Sequence, residues 1–134
     1  MTDTRLDTLA RADAGRLKAK AEELLPLLGE IEVIHSRTGL VMLPMRDTVE
    51  GTAFHLGEVL VSEAHIQSGD LQGYGMRRGH DLESAMAMAL LDLALLSGVA
   101  GAEAFCEAEA AALATVDRET LRRVEATRVD METF

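Results

Sequence analysis

The sequence predicts a single α+β domain with an N-terminal helix, a mainly antiparallel sheet of about four strands, and packed C-terminal helices. Three observations predict this class. Apolar residues recur at helical spacing in the first thirty residues, short β-favouring runs follow from Glu30, and helical periodicity returns after Gly79. The length of 134 residues is typical of one domain, and no linker-like segment divides it. Helices that follow a run of strands are typical of a sheet covered on one face.

The N-terminal helix is predicted from an apolar stripe on one helical face. The stripe consists of Leu17, Ala21, Leu24, Leu25 and Leu28. Pro26 and Gly29 mark its end, because proline removes a helical hydrogen bond and glycine is typical of the residue after a helix.

Four strands are predicted between residues 31 and 76. They are expected at residues 31–35, 40–45, 58–67 and 71–76. The first two form a hairpin around residues 36–39, and a polar loop at 46–52 leads to the third. Apolar and polar residues mix on both faces of that third strand, which indicates a bulge or an edge position. Residues 68–70 form the last hairpin turn.

A central helix is predicted from Asp81 to about Ser97, with Asp81 as N-cap and Glu83 in the first turn. Apolar side chains cover nearly its whole circumference, so we expect it to be the main packing element. Two further helices are predicted at residues 102–114 and 117–125, the second capped by Thr115 or Asp117.

Residues 126–134 are predicted to form an extended C-terminal arm, because apolar residues there recur at a spacing closer to two. We expect this arm to dock on a partner subunit or on a second copy of the chain. Its predicted interface residues are Arg128, Val129, Asp130 and Met131.

Composition excludes several classes of partner. The formal net charge of -10 would repel nucleic acid and anionic membrane surfaces. The apolar stretch at residues 85–102 is interrupted by Asp92, so we interpret it as a buried helix and not as a membrane span. A single cysteine, Cys106, excludes an intrachain disulfide, and the acidic start lacks the features of a secretory signal. We expect a core thiol and a cytoplasmic protein.

Motifs for catalysis or metal binding do not stand out. The four histidines lack the i, i+4 spacing that places two ligands on one helical face. No nucleophile elbow, phosphate-binding loop or paired-cysteine motif occurs. We therefore predict no metal site, no catalytic residue and no cofactor bound by this chain alone.

Two segments carry candidate binding residues. Residues 73–80 are glycine-rich and basic at the start of the central helix, so Arg77, Arg78 and His80 are candidates for holding a phosphate or phosphonate. Alternatively, the glycines serve close backbone geometry and the arginines are solvated. In residues 51–58, Phe54, Leu56 and Glu58 are candidates for a partner interface. Alternatively, the two apolar side chains plug the core from a loop.

Several short pieces of the chain together resemble the PhnG family, the G subunit of bacterial carbon-phosphorus lyase. The pieces are residues 38–41, residues 51–58, Gly73-Tyr74 with Gly79 and Asp81, Ala85, Ala89 with Asp92, and residues 126–130. The match covers about residues 33–134, and its specificity lies in the order and spacing of the pieces. A departure is Leu82 after Asp81, where family members often carry a basic residue.

The resemblance implies a subunit of a phosphonate-processing complex. It implies assembly with the H, I and J subunits, and a joint role with H, I and the ATPase-like L subunit in transferring a phosphonate to the ribose C1 of ATP with release of adenine. ATP would be a substrate of the complex. The leading hypothesis is a structural subunit that is inactive alone, with a homodimer as an open possibility. The alternative is a free-standing module that binds a small anion through Arg77, Arg78 and His80.

Overall fold

The computed structural model describes residues 2–46 and 53–132 and has the predicted α+β class. Its elements are α1 (Thr2–Arg11), α2 (Ala14–Leu24), a 3-10 turn (Leu25–Leu27), β1 (Glu32–Arg46), β2 (Ala53–Ser68), β3 (Leu71–Arg78), α3 (Leu82–Ser97) and α4 (Ala102–Glu132). The strands form one antiparallel sheet in the order β1-β2-β3. Helix α3 packs on one face of this sheet, α2 packs on α3, and α4 lies against α1 and α3.

Strand β1 is continuous, so the hairpin predicted around residues 36–39 is wrong, and within residues 2–46 and 53–132 the sheet has three strands instead of four. A turn at this point would favour a glycine with positive φ, but Gly39 has none and pairs with Val61 of β2. The length of β2, 16 residues, explains the difference. Two short strands are marginal as an isolated hairpin, whereas both segments gain a full ladder along one long neighbour.

Strand β2 is central, which rules out the predicted edge position, and it begins at Ala53 inside the segment predicted as a loop. Its pairing with β1 shifts register where Leu43 pairs with Gly57 and Pro44 with His55. The shift leaves one residue of β2 without an opposite partner, as in a β-bulge. The predicted turn between the last two strands is confirmed, with Gly69 at φ 60°.

Helix α3 confirms the predicted central helix and its N-cap. The Asp81 carboxylate accepts a hydrogen bond from the Ser84 N–H at 3.1 Å, and Gly98 ends the helix at φ 71°. Its buried side chains lie on most of its circumference, namely Ser84, Ala85, Ala87, Met88, Ala89, Leu91, Asp92, Leu93 and Ala94. Across residues 2–46 and 53–132, no helix combines the length and apolar content that a membrane span requires.

Helix α4 is continuous for 31 residues, which corrects two predictions. The helices predicted at 102–114 and 117–125 are one helix, and the predicted extended arm is helical through Glu132. No glycine or proline interrupts residues 102–132, so nothing in the backbone ends the helix. Thr115 does not act as a cap, because its hydroxyl donates to the Ala111 carbonyl one turn earlier at 3.1 Å. Residues 133–134 lie outside the described residues.

Two arginine–carboxylate pairs hold α4 against the N-terminal helices. Arg16 donates to both carboxylate oxygens of the buried Glu109, at 2.7 and 3.0 Å. Arg11 donates to both oxygens of Asp117, at 2.7 and 3.2 Å. Cys106, about one helical turn before Glu109 on α4, is buried as a free thiol, as predicted for a core residue. Both ion pairs are bidentate, so they fix the orientation of α4 relative to the N-terminal helices as well as holding it in contact with them.

The N-terminal segment forms two helices where the sequence predicted one. Asp13 starts the second helix by accepting a hydrogen bond from the Arg16 N–H at 3.0 Å. The predicted apolar stripe is buried at Leu17, Ala21, Leu24 and Leu28, but Leu25 is 44% exposed. Pro26 follows in the 3-10 turn, consistent with its predicted role in ending the helix.

We predict that Leu91→Ala lowers the free energy of unfolding by about 2–5 kcal/mol, because Leu91 is fully buried on the central helix. Urea denaturation followed by circular dichroism measures this loss. Leu121→Ala on exposed α4 is the matched control and should change stability by less than about 0.5 kcal/mol. Equal effects of the two variants would contradict the central position of α3.

Candidate functional site

The glycines of the segment 73–80 bring α3 into close contact with β3. Gly73 and Gly75 lie on the helix-facing side of the strand and are buried. A Cβ atom at Gly73 would overlap the Ala89 carbonyl oxygen, and one at Gly75 would overlap the Ala85 carbonyl oxygen. The glycines therefore serve close backbone geometry, as one of the two sequence interpretations expected.

Side chains of α3 also accept hydrogen bonds from backbone N–H groups of β3, which is an edge strand. The Tyr74 N–H donates to Oδ2 of Asp92 at 3.0 Å, and the Met76 N–H donates to the Met88 sulfur at 3.3 Å. Burial raises the pKa of the Asp92 carboxyl, although the bond from Tyr74 opposes that shift. Two N–H groups of this edge are thereby satisfied within the chain, which disfavours pairing with another strand at these positions.

Arg77, the first candidate for anion binding, is bound to the end of α1. Its guanidinium donates to the carbonyl oxygens of Leu9 at 2.5 Å and Ala12 at 2.6 Å. Helix C-termini leave carbonyl groups without partners, and Arg77 satisfies two of them. Burial lowers the pKa of Arg77. Its contacts are therefore those of a structural helix cap.

Arg78 and His80, the other two candidates, are exposed near the start of α3. The helix N-terminus already holds the Asp81 carboxylate, and the Lys18 ammonium lies 3.0 Å from that carboxylate. Hydrogen bonds from Lys18 and from the Ser84 N–H lower the pKa of Asp81, so it stays ionised near neutral pH. The structure thus does not bring the three predicted residues into one cradle. An anion at Arg78 and His80 stays a prediction.

A polar network that the sequence did not reveal lies on the sheet face opposite α3. Glu63 of β2 accepts a hydrogen bond from the Tyr74 hydroxyl of β3 at 2.8 Å and another from Nε of Arg37 of β1 at 3.1 Å. The Nε2 of His65 lies 2.9 Å from the Gln72 side-chain oxygen. Glu63 and His65 occupy alternate positions in the sequence, so their place on one face of a strand could have been predicted. Their partners could not, because they depend on strand register.

The electrostatics of this network keep the Tyr74 phenol protonated and the Glu63 carboxylate ionised. Burial and the bond to Glu63 raise the pKa of Tyr74 to about 12, while the Tyr74 hydroxyl is the main cause that lowers the pKa of Glu63. The His35 and His65 rings lie beside each other with centroids 6.1 Å apart. Within residues 2–46 and 53–132, no three His, Cys, Asp or Glu side chains are placed to share a metal ion.

The predicted interface residues occupy two regions of the fold. Phe54 and Leu56 belong to β2 instead of a loop, and Glu58 of the same strand is exposed opposite Met42. The other four predicted residues, Arg128 to Met131, lie in the last turns of α4. Apart from Glu58, the side chains of these residues lie outside the described part.

Two exposed apolar surfaces project from the core beside these regions. The first, called here the hairpin surface, consists of Leu40, Met42 and Leu60 on β1 and β2, which are 62%, 58% and 41% exposed. The second, called the helix surface, consists of Val116, Leu121 and Val124 on α4, each more than half exposed. Clustered apolar side chains of this kind are typical of protein interfaces.

Tyr74 is the only tyrosine and the chain lacks tryptophan, so its ionisation can be followed by absorbance near 295 nm. We predict a midpoint near pH 12, and Glu63→Gln should move it toward the ordinary value of 10 because the negative acceptor is lost. Since the folded pKa is raised, the stability from this bond is present below pH 10 and is lost as pH rises toward 12.

Glu58→Gln, on the same strand but away from the phenol, is the matched control and should leave the Tyr74 midpoint in place. A wild-type midpoint near pH 10 in protein that is still folded by circular dichroism would contradict the network.

Gly75→Ala should lower the free energy of unfolding by about 2 kcal/mol or more, because the new methyl group overlaps the α3 backbone. Gly39→Ala is the control, since a Cβ there meets no atom within 4 Å. Thermal melts of the two variants measure the difference, and a Gly75→Ala protein as stable as Gly39→Ala would contradict the close approach.

Comparisons with known proteins agree with the resemblance seen in the sequence. The model of the family described as phosphonate metabolism protein PhnG matches residues 3–134. The chain is 34% identical over 107 residues to the putative C-P lyase subunit protein HtxH of Stutzerimonas stutzeri, covering 70% of this chain but only 29% of that protein. It is 34% identical over 130 residues to the alpha-D-ribose 1-methylphosphonate 5-triphosphate synthase subunit PhnG of Rhizobium meliloti (strain 1021), covering 94% of this chain and 83% of that protein. The chain therefore belongs to the family of the phosphonate metabolism protein PhnG.

Proposed function

We propose that this chain is a non-catalytic structural subunit of a carbon-phosphorus lyase complex in the cytoplasm. In that role it supports transfer of a phosphonate to the ribose C1 of ATP, with release of adenine. Its partners are the H, I and J subunits, with the ATPase-like L subunit acting in the same step. The names of the two relatives, each a subunit in phosphonate chemistry, support this assignment.

The observation that carries the proposal is the pair of projecting apolar surfaces. The hairpin surface and the helix surface each place three large apolar side chains in solvent. Scattered single apolar residues are normal on a protein surface, but clusters on projecting elements favour association. A subunit that contributes surface to a larger assembly needs such elements, whereas a self-sufficient enzyme needs a concave site with free acid and base groups.

The polar clusters support a structural role by the way their groups are used. The Tyr74 phenol, with a pKa near 12, is a poor proton donor at neutral pH, and its carboxylate partner Glu63 is already occupied by Arg37 and Tyr74. Arg77 caps α1 instead of facing a ligand. Each of these groups is thus engaged in contacts that stabilise the fold.

The alternative, a small-anion binding module, rests on the exposed Arg78 and His80 beside the N-terminus of α3. Calorimetry with ATP and with methylphosphonate separates the two functions. The structural subunit should bind neither ligand at micromolar concentration, whereas the module should bind one of them without partners. Arg78→Ala with intact Arg77 is the informative variant, because loss of Arg77 also removes a helix cap.

We predict that the purified chain releases no adenine from ATP in the presence of methylphosphonate, whereas the H, I and L subunits release it only when this chain is added. Chromatographic detection of adenine measures both reactions. The Leu71→Asp variant, changed away from both projecting surfaces, is the control that should retain the supporting effect. Adenine release by the pure chain, abolished by a single substitution, would overturn the structural role.

A further inference from the structure

Two histidines, His35 of β1 and His65 of β2, face each other across the sheet. They are far apart in sequence, but the register of the two strands makes them direct cross-strand partners. Their ring centroids are 6.1 Å apart and the ring planes are inclined by 33°. Side chains directly opposite each other on antiparallel strands share one face of the sheet. Strand pairing thus brings two imidazoles together without the i, i+4 spacing that a helix would need.

Both rings are accessible from solvent. They lie on the sheet face opposite α3, whereas Ala64 and Ile66 on the other face of β2 are fully buried. His35 is exposed and His65 is half-buried. A small ion from solution can therefore reach the pair without any change in the fold.

Gln72 determines which nitrogen of His65 can bind a ligand. The Nε2 of His65 lies 2.9 Å from the Gln72 side-chain oxygen. An amide oxygen only accepts hydrogen bonds, so Nε2 carries the proton and Nδ1 of the neutral ring keeps its lone pair. Histidines that bind metals usually have their second nitrogen held in this way by an oxygen acceptor. His65 is thus prepared to act as a metal ligand through Nδ1.

The charge around the pair suits a cation. The pKa of Glu63 is lowered mainly by the Tyr74 hydroxyl, with Arg37 and His35 also contributing, so His35 lies within reach of an ionised carboxylate. The neighbouring cation, Arg37, is bound to that same carboxylate through Nε at 3.1 Å. The net charge of -10 also raises the concentration of cations near the chain as a whole.

The spacing of the rings is close to that required by one shared ion. At the usual Zn–N distance of about 2.0–2.1 Å, two imidazoles on a tetrahedral ion have their ring centres roughly 5 Å apart. The observed separation of 6.1 Å is longer by about 1 Å. Rotation of the exposed His35 side chain can supply this difference, because exposed side chains change rotamer readily.

We propose that His35 and His65 form a binding site for a divalent transition-metal ion such as Zn²⁺ or Ni²⁺ on the sheet face opposite α3. Imidazole suits these ions, whereas Mg²⁺ prefers oxygen ligands. Two protein ligands leave other positions on the ion open for water or an anionic oxygen, in contrast to a closed structural zinc site. This inference concerns the chain alone and does not rest on the proposed function.

Isothermal titration calorimetry of the full chain with ZnCl₂ tests the proposal. One Zn²⁺ should bind per chain, and an excess of MgCl₂ should not displace it, whereas an ion held only by the acidic surface would be displaced. His35→Gln and His65→Gln should each weaken binding by about tenfold or more, because losing a ligand costs at least as much as losing its outer partner. His80→Gln, at an exposed position before α3, is the matched control and should bind Zn²⁺ like the wild type. Equal affinities of the wild type and His35→Gln would overturn the proposal.

Proton NMR of the imidazole rings identifies the ligands directly. The chain has four histidines, and Zn²⁺ should shift the ring signals of His35 and His65 alone. Gln72→Leu should weaken binding by about tenfold, because His65 loses the partner that fixes its free nitrogen. Gln67→Leu, directly across the strands from Gln72, is the matched control and should retain the wild-type affinity. Equal shifts of all four histidines, or none in either member of the pair, would overturn the proposal while leaving the proposed function intact.

Discussion

The close contact between α3 and β3 is the constraint on which the other parts of the fold depend. Gly73 and Gly75 let the helix backbone approach the strand, and Asp92 then accepts the hydrogen bond from the Tyr74 N–H. This contact satisfies two N–H groups at the edge of the sheet and buries one side of α3. The other helices pack on the remaining sides of α3, and the outer sheet face is left free for the network of Glu63 and Tyr74.

Elements with local signals could be predicted from the sequence. Asp81 as N-cap, the all-round apolar pattern of α3 and the turn at Gly69 each depend on a few neighbouring residues, and the structure confirms them. The strand count could not be predicted in this way, because residues 36–39 contain turn-forming residues whose conformation is decided by a partner strand far along the chain. Thr115 and Asp117 led to the prediction of a helix boundary where the helix in fact continues. Residues of these types often cap helices, but here both lie within one.

The candidate site was less predictable than the fold, because its contacts join distant parts of the chain. Arg77 was correctly singled out as unusual, but its partners lie on α1, and only the tertiary structure shows that they are carbonyl oxygens instead of an anion. Glu63, Arg37 and Tyr74 come from three strands, so their meeting depends on two registers. The family resemblance was carried by spacing, and several of its residues, including Gly73 and Asp92, are now explained as packing contacts.

The two bidentate ion pairs of α4 have a mechanical consequence. Asp117 is the last described anchor, and the helix continues to Glu132, so its end lies about 22 Å past that anchor at the usual rise per residue. A rod held at one end amplifies small rotations, and a tilt of about 10° would displace its tip by about 4 Å. Since Arg11 lowers the pKa of Asp117, the pair persists through neutral pH and weakens only as pH falls. The orientation of the projecting part of α4 is thus set by Arg11 and Arg16, two side chains near the opposite terminus of the chain.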